Sequence, residues 1–112
     1  MDNLSSKHCE PCEGGLPPLT KEEVTQCLTT LPSWSLNAEG TQISKHFEFK
    51  GYYKTISFVN ALAWIANQQS HHPTLEVGYN YCIVRYTTHA ISGLSMNDFI
   101  CAAKVEAFLV DN

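Results

Sequence analysis

The sequence predicts a single α+β domain: a four-stranded, mainly antiparallel sheet with three helices packed on one face, in the order α-β-β-α-β-β-α. The chain has 112 residues, the length of one ordinary domain. Its content of 44% hydrophobic and 16% charged residues is typical of a chain that buries a core. Two stretches that alternate between apolar and polar residues flank one long apolar stretch, which predicts two hairpins separated by a helix.

The first helix is predicted after a polar leader. Residues 1–18 contain paired glycines and paired prolines, which break regular structure, so we expect a flexible leader there and one folded domain over residues 19–112. Thr20 and Glu23 have the spacing of a capping box. An apolar stripe with helical spacing follows, and Pro32 ends it.

The hairpins and the remaining helices follow in order. Residues 34–36 and 43–49 alternate around a turn and predict the first hairpin, and residues 74–89 are rich in β-branched and aromatic residues and predict the second. A helix is predicted from Tyr52 to about Gln69, because Pro73 stops it. Ser95 resembles another helix start and leads into the last helix.

Charge and hydrophobicity exclude some classes of function. The net charge is -4, from seven basic and eleven acidic residues, and such a chain lacks the positive field needed for direct nucleic-acid binding. We see neither a signal peptide nor the roughly 18 apolar residues of a membrane span, so we expect a cytoplasmic protein with no membrane partner. An open sheet edge favours a homo-oligomer of undetermined size.

The five cysteines are odd in number, which favours reduced thiols over a disulfide framework. Cys9 and Cys12 form a CxxC preceded by His8. Zinc binding or redox chemistry would use such a pair, but a structural zinc site needs four ligands and no second close pair exists. We therefore interpret these cysteines as part of a solvated leader, with the other two readings left open.

Three histidines are the candidates for chemistry. His71 and His72 lie where the second helix ends and a strand begins, and His89 lies at the far end of the second hairpin. A hairpin turn centred on Tyr79 would place residue 69 opposite His89, and a turn centred on Tyr81 would place residue 73 there. The antiparallel register therefore predicts that His89 returns beside the histidine pair.

Three imidazoles in one place suit proton transfer. Their ordinary pKa of about 6.5 lets one donate a proton while another accepts one near neutral pH, as an elimination or a hydration requires. Two other readings stand beside this one. A histidine at a helix end often only binds the last carbonyls, and three histidines can bind a catalytic zinc ion, although adjacent His71 and His72 would need an unusual turn to do so.

The spacing of these residues is similar to a known family signature. His71-His72-Pro73 is followed after five residues by Tyr79, after nine more by His89 and after eight more by Asp98. This pattern resembles the pterin-4a-carbinolamine dehydratase family. The likeness extends to the stretches around Trp34, residues 47–50 and residues 93–95, and so covers roughly residues 19–110.

The resemblance implies an α+β fold, a homodimer or homotetramer, and dehydration of 4a-hydroxytetrahydrobiopterin to quinonoid dihydropterin. That reaction recycles the pterin of aromatic amino acid hydroxylases, with the pterin as substrate, no cofactor and no metal. His71, His72 and His89 match the family's catalytic histidines; we expect His71 and His89 as acid and base and His72 as the orienting residue.

The pterin-contacting segments of the family match Ser70 and the strand end Thr87, Thr88, His89 and Ala90, in addition to His71 and His72. Asp98 and Asn67 are candidate supporting residues. Asn67 occupies a position that is often acidic in the family, and Asp98 also has the spacing of a helix cap. The alternative function is a protein-binding module, since some family members serve as dimerisation cofactors of transcription regulators.

Overall fold

The structure is a computed structural model that describes residues 4–10 and 17–110. Its elements follow the predicted order, with one short 3-10 helix before them and one between the last strand and the last helix. They are the 3-10 helix Leu4–Ser6, α1 (Lys21–Thr29), β1 (Ser35–Leu36), β2 (Ile43–Glu48), α2 (Tyr52–Gln69), β3 (Thr74–Val77), β4 (Tyr81–Tyr86), the 3-10 helix His89–Ile91 and α3 (Met96–Val110). The predicted α+β class is confirmed.

The four strands form one sheet in the order β1-β2-β4-β3, and each neighbouring pair is antiparallel. In the second hairpin Thr74 pairs with Arg85 and Val77 pairs with Cys82. This register centres the turn between Tyr79 and Asn80, inside the range that the sequence predicts. The two predicted hairpins are joined into one sheet by the pairing of β2 with β4, which are its two central strands.

The core lies between the sheet and the three helices, because alternate strand residues point to the same side. Cys82, Val84 and Tyr86 of β4 are fully buried, whereas the residues between them are only partly buried. The same hydrophobic core cluster also contains Val24, Cys27, Trp34, Ile43, Phe47, Phe58, Leu62, Phe99, Ile100 and Val105. Helices therefore cover one face of the sheet.

Helix α1 begins as the sequence predicts. The Thr20 hydroxyl accepts a hydrogen bond from the Glu23 amide at 3.2 Å, and the Glu23 carboxylate accepts one from the Thr20 amide at 2.9 Å. This reciprocal capping box satisfies two amides that a helix start would otherwise leave to water. The helix ends at Thr29, shortly before Pro32.

Helix α2 ends in a turn that directs the chain toward the candidate site. Ser70 adopts the left-handed conformation, with φ 53° and ψ 37°. Its amide donates to the Asn67 carbonyl, and the His71 amide reaches back to the Ala66 carbonyl at 3.1 Å. These two bonds form a Schellman motif, which usually has glycine at the position of Ser70. The backbone of His71 is thereby fixed at the end of α2.

The N-terminal segment, residues 4–10, packs beside α3. Leu4 is buried in the core, and the Lys104 ammonium donates to the Ser5 carbonyl at 2.9 Å. Residues 4–10 of the predicted leader thus contact the domain, and the flexibility of residues 1–18 stays a prediction. Cys12 lies outside the described residues, so the role of the CxxC stays a prediction as well. Within the described chain, the helices are too short or too polar to cross a bilayer.

Candidate active site

A buried histidine–aspartate pair lies where α2 ends and α3 begins. The Nε2 atom of His71 is 2.6 Å from the Oδ1 atom of Asp98, and both side chains are buried. The second carboxylate oxygen of Asp98 accepts hydrogen bonds from the Thr88 hydroxyl at 2.7 Å and from the Ser95 amide at 3.0 Å. Three separate stretches of chain thus converge on one carboxylate, as a buried charge requires.

Asp98 also takes part in starting α3. Its carboxylate binds the Ser95 amide, as in a capping box, but the Ser95 hydroxyl lies 2.7 Å from the Thr88 hydroxyl and completes a different bond. Because Thr88 donates its proton to Asp98, the Ser95 hydroxyl donates to Thr88. Asp98 therefore both bonds the first turn of α3 and contacts His71, and its supporting role in catalysis stays a prediction.

The surroundings of His71 favour its protonated form. Burial lowers the pKa of this imidazole, but the hydrogen bond and the negative charge of Asp98, with a smaller contribution from Cys9, outweigh burial and raise the pKa above its ordinary value. The His71 ring is nearly parallel to the buried ring of Tyr86, with 5.9 Å between their centroids. Burial has the opposite effect on Tyr86 and raises the pKa of its phenol, which therefore stays neutral.

His72 and His89 occupy different surroundings from His71, since both are exposed. His89 begins the 3-10 turn after β4 and directly follows Thr88, which contacts Asp98. Extended past the strand ends, the β3–β4 register puts residue 70 opposite residue 89, but β4 itself stops at Tyr86. A single site containing all three histidines stays a prediction.

The other predicted site residues lie around this pair. The hydroxyl of Thr87 donates to the Thr41 carbonyl at 2.6 Å, which ties the end of β4 to the β1–β2 hairpin. Ala90 is exposed on the 3-10 turn, and Ser70 and Asn67 are exposed at the end of α2. Of the predicted residues, the contacts bring His71, Thr88 and Asp98 directly together.

Three neighbours of the pair are not among the predicted site residues: Ser95 as a bonded partner of Thr88, Tyr86 as the ring beside His71, and Cys9 as a nearby thiol. The sequence pattern predicts only a helix start at Ser95 and only a strand residue at Tyr86. The CxxC drew attention to Cys9 without indicating its neighbours. Across residues 4–10 and 17–110, no three His, Cys, Asp or Glu side chains are grouped so as to bind a metal ion.

The fold and this site define a small α+β protein with a buried histidine–carboxylate pair at one end of its sheet. The family model described as "Pterin 4 alpha carbinolamine dehydratase" matches residues 17–108. The chain therefore belongs to the pterin-4a-carbinolamine dehydratase family, as its histidine spacing predicts.

Relatives with the same family name are similar over nearly the full length. A "Putative pterin-4-alpha-carbinolamine dehydratase" of Nitrosospira multiformis is 57% identical over 106 residues, which cover 95% of this chain and 92% of the relative. A protein of the same name from Legionella pneumophila is 53% identical over 110 residues, which cover 97% of each chain.

Two solved structures share the fold. The crystal structure of a "transcriptional coactivator/pterin dehydratase" from Brucella melitensis has a TM-score of 0.78 at 28% identity and covers 81% of this chain and 97% of its own. A "pterin dehydratase-like protein" described as a RuBisCO assembly factor in the alpha-carboxysome has a TM-score of 0.59 at 26% identity and covers 67% of this chain and 87% of its own. The fold is therefore shared by proteins whose names indicate different roles.

Proposed function

We propose that this chain dehydrates 4a-hydroxytetrahydrobiopterin to quinonoid dihydropterin and water by histidine acid–base catalysis. Family membership and the names of the relatives support the choice of reaction. The observation that carries the proposal is the buried pair of His71 and Asp98, because it provides an imidazole whose pKa is raised toward the range of a proton donor at neutral pH.

The reaction needs two proton transfers. The bond between C4a and its hydroxyl oxygen breaks as an acid protonates that oxygen, which leaves as water. The neighbouring ring nitrogen loses its proton to a base, and its electron pair forms the C=N bond. One proton enters and one leaves, so the chemistry requires no redox cofactor and no metal.

The surroundings of each histidine support distinct roles. His71, with its raised pKa, is proposed as the acid that protonates the leaving hydroxyl, and exposed His89 is proposed as the base. His72 is proposed to bind and orient the pterin. Ser70, Thr87 and Ala90 are proposed to contact the pterin, whereas buried Thr88 is proposed to act through the Asp98 carboxylate that it contacts.

The cellular setting belongs to the same proposal. Such an activity would return pterin to an aromatic amino acid hydroxylase, in the cytoplasm, with the pterin as substrate and not as a retained cofactor. The chain is proposed to work as a homodimer or homotetramer without direct contact to nucleic acid or membrane. The short edge strand β3 supports self-association, since one of its sides lacks a partner strand among the described residues.

Single alanine substitutions of His71, His72 and His89 test the proposal in a coupled hydroxylase assay that follows loss of the carbinolamine absorbance. We expect each of the His71 and His89 variants to lose roughly 10²-fold or more in rate, the usual range for an acid or base. His46→Ala is the matched control, because His46 is an exposed histidine on β2. Wild-type rates in all three site variants would refute the acid–base assignment.

A second function, a protein-binding module, is favoured by the surface of α2. Tyr52, Tyr53 and Trp64 are 56%, 85% and 64% exposed, which is unusual for large aromatic side chains. The coactivator named above supports the same idea. The two functions can be distinguished in a cell that lacks this chain, by supplying a folded variant with all three site histidines replaced. Restoration of the lost cellular function by this variant would favour binding, and failure to restore it would favour catalysis.

A further inference from the structure

Two thiols outside the proposed acid–base chemistry lie close together between the N-terminal segment and α3. The sulfur atoms of Cys9 and Cys101 are 3.4 Å apart, although the residues are 92 positions apart in the chain. Cys101 is fully buried on α3, and Cys9 is partly exposed. The pair therefore has one thiol that small reagents can reach and one that the core protects.

The N-terminal segment is held in place by several bonds, so the approach of the two sulfur atoms is built into the fold. The Cys9 amide donates to the Gln69 side-chain carbonyl at 2.8 Å. The buried side chain of Asn97 bonds the backbone of Glu10 twice: its carbonyl accepts from the Glu10 amide at 2.9 Å, and its amide donates to the Glu10 carbonyl at 2.7 Å. These contacts hold the backbone of Cys9 and of the residue that follows it.

The charges near Cys9 favour a reactive thiolate. The hydrogen bond with Cys101 is the largest cause of a lowered Cys9 pKa. Burial raises this pKa, but the positive charges of His71 and Lys104 lower it further, so the pKa lies below its ordinary value. The negative charge of Asp98 and the Asn97 carbonyl, 3.7 Å from the sulfur, act in the other direction. The hydrogen bond to Cys9 and burial raise the pKa of Cys101. Because Cys9 is also the partly exposed thiol and Cys101 is fully buried, Cys9 is the nucleophile of the pair.

We propose that Cys9 and Cys101 are a peroxide-sensitive thiol pair that oxidises to an intramolecular disulfide and so fastens the N-terminal segment to α3. The Cys9 thiolate attacks one peroxide oxygen, the O–O bond breaks, and a sulfenic acid and hydroxide form. The Cys101 sulfur then attacks the Cys9 sulfur, and the departing hydroxide takes the Cys101 proton as water. Two thiols thus supply the two electrons that reduce one peroxide, and a dithiol reductant reverses the change.

The geometry favours this partner over others. A disulfide bond is about 2.05 Å long, so the sulfur atoms must approach by about 1.4 Å, a shift that the surface segment can make more easily than the core. Cys27 and Cys82, the other thiols in the described part of the chain, are buried elsewhere: the Cys27 sulfur contacts the Met96 sulfur, and the Cys82 sulfur lies near the Ile83 carbonyl. They serve as internal controls.

The test uses the full reduced chain with stoichiometric hydrogen peroxide, followed by alkylation of remaining thiols and mass spectrometry without reduction. We expect loss of two hydrogen atoms and a cross-linked peptide pair that contains Cys9 and Cys101. The oxidised protein should also have a higher Tm, and dithiothreitol should restore the reduced mass. A disulfide between Cys9 and Cys12, or the absence of a disulfide while the protein stays folded, would overturn the proposal.

Matched variants separate the roles of the two thiols. In Cys101→Ser the sulfenic acid at Cys9 should persist long enough to be trapped by dimedone. In Cys9→Ser the disulfide should be absent, while in Cys12→Ser and Cys27→Ser it should form as in the wild type. If Cys101→Ser does not fold, the peptide maps of the wild type and of Cys12→Ser still decide the outcome. Loss of the disulfide in Cys12→Ser would show that Cys9 pairs with Cys12 and would refute a disulfide between Cys9 and Cys101.

Discussion

His71 and His72 are neighbours in the chain, yet they lie in opposite surroundings. His71 is 6% exposed and bonded to a buried carboxylate, whereas His72 is exposed to solvent. The left-handed residue Ser70 and the two hydrogen bonds that end α2 fix the backbone just before both histidines. The turn that ends α2 therefore gives two adjacent histidines different surroundings: the His71 imidazole is bonded to Asp98, and the His72 imidazole is open to solvent.

The largest expected effect comes from replacing each of the two neighbours by alanine. His71→Ala leaves the Asp98 charge buried without its partner and should lower the free energy of unfolding by about 3–5 kcal/mol. His72→Ala removes an exposed side chain and should change it by less than about 0.5 kcal/mol. Chemical denaturation measures both values, and equal losses would contradict the contrast described above.

Asp98→Asn should have the next largest effect. It keeps the shape of the side chain but removes the charge, and hydrogen bonds to charged groups contribute about 1.5–3 kcal/mol, so we expect a loss of about 2 kcal/mol. The pKa of His71 should fall at the same time, because burial would then act without the opposing charge. An NMR titration of the imidazole checks this shift, and an unchanged His71 pKa would show that Asp98 does not control it.

The dependence of stability on pH should also separate the two histidines. Because the pKa of folded His71 lies above that of the unfolded chain, its stabilising contribution is complete below about pH 6.5 and is lost as pH rises through the folded value. The difference in Tm between wild type and Asp98→Asn should therefore narrow as pH rises above 6.5. His72→Ala should follow the wild-type profile, and a similar narrowing in that control would assign the effect to another group.

Ser70→Gly should have a smaller effect than the substitutions of the buried pair, and the opposite sign. Glycine adopts the left-handed conformation without the steric cost that Ser70 bears, although it loses more backbone entropy on folding, so we expect a gain of about 0.5–1 kcal/mol. Ser70→Ala is the control and should not stabilise the chain. A destabilised glycine variant would indicate that the serine side chain itself supports the helix end.

The fold could be predicted from the sequence because its signals are local. The capping box at Thr20, the long apolar stretch before Pro73 and the alternation in β2 and β4 each act within a few residues. The second hairpin adds one distant relation, since its short turn restricts the register to a narrow range.

The site could be predicted only in part. The spacing of the histidines drew attention to His71, but residue types alone do not say that Asp98 would bind it across 27 positions, nor that His72 would face solvent. No sequence pattern predicts the packing of Leu4 or the contact between Cys9 and Cys101, because a single apolar residue in a polar stretch has no periodicity. Such contacts depend on tertiary packing alone.

The order of the residues along the chain has a consequence for biosynthesis. His71, His72 and His89 all emerge from the ribosome before Asp98, and the carboxylate reaches His71 only when α3 docks against the end of α2. A nascent or truncated chain thus contains every histidine but not the partner that raises the pKa of His71. The protonation state of that one imidazole therefore reports whether translation has passed residue 98 and the last helix has folded into place.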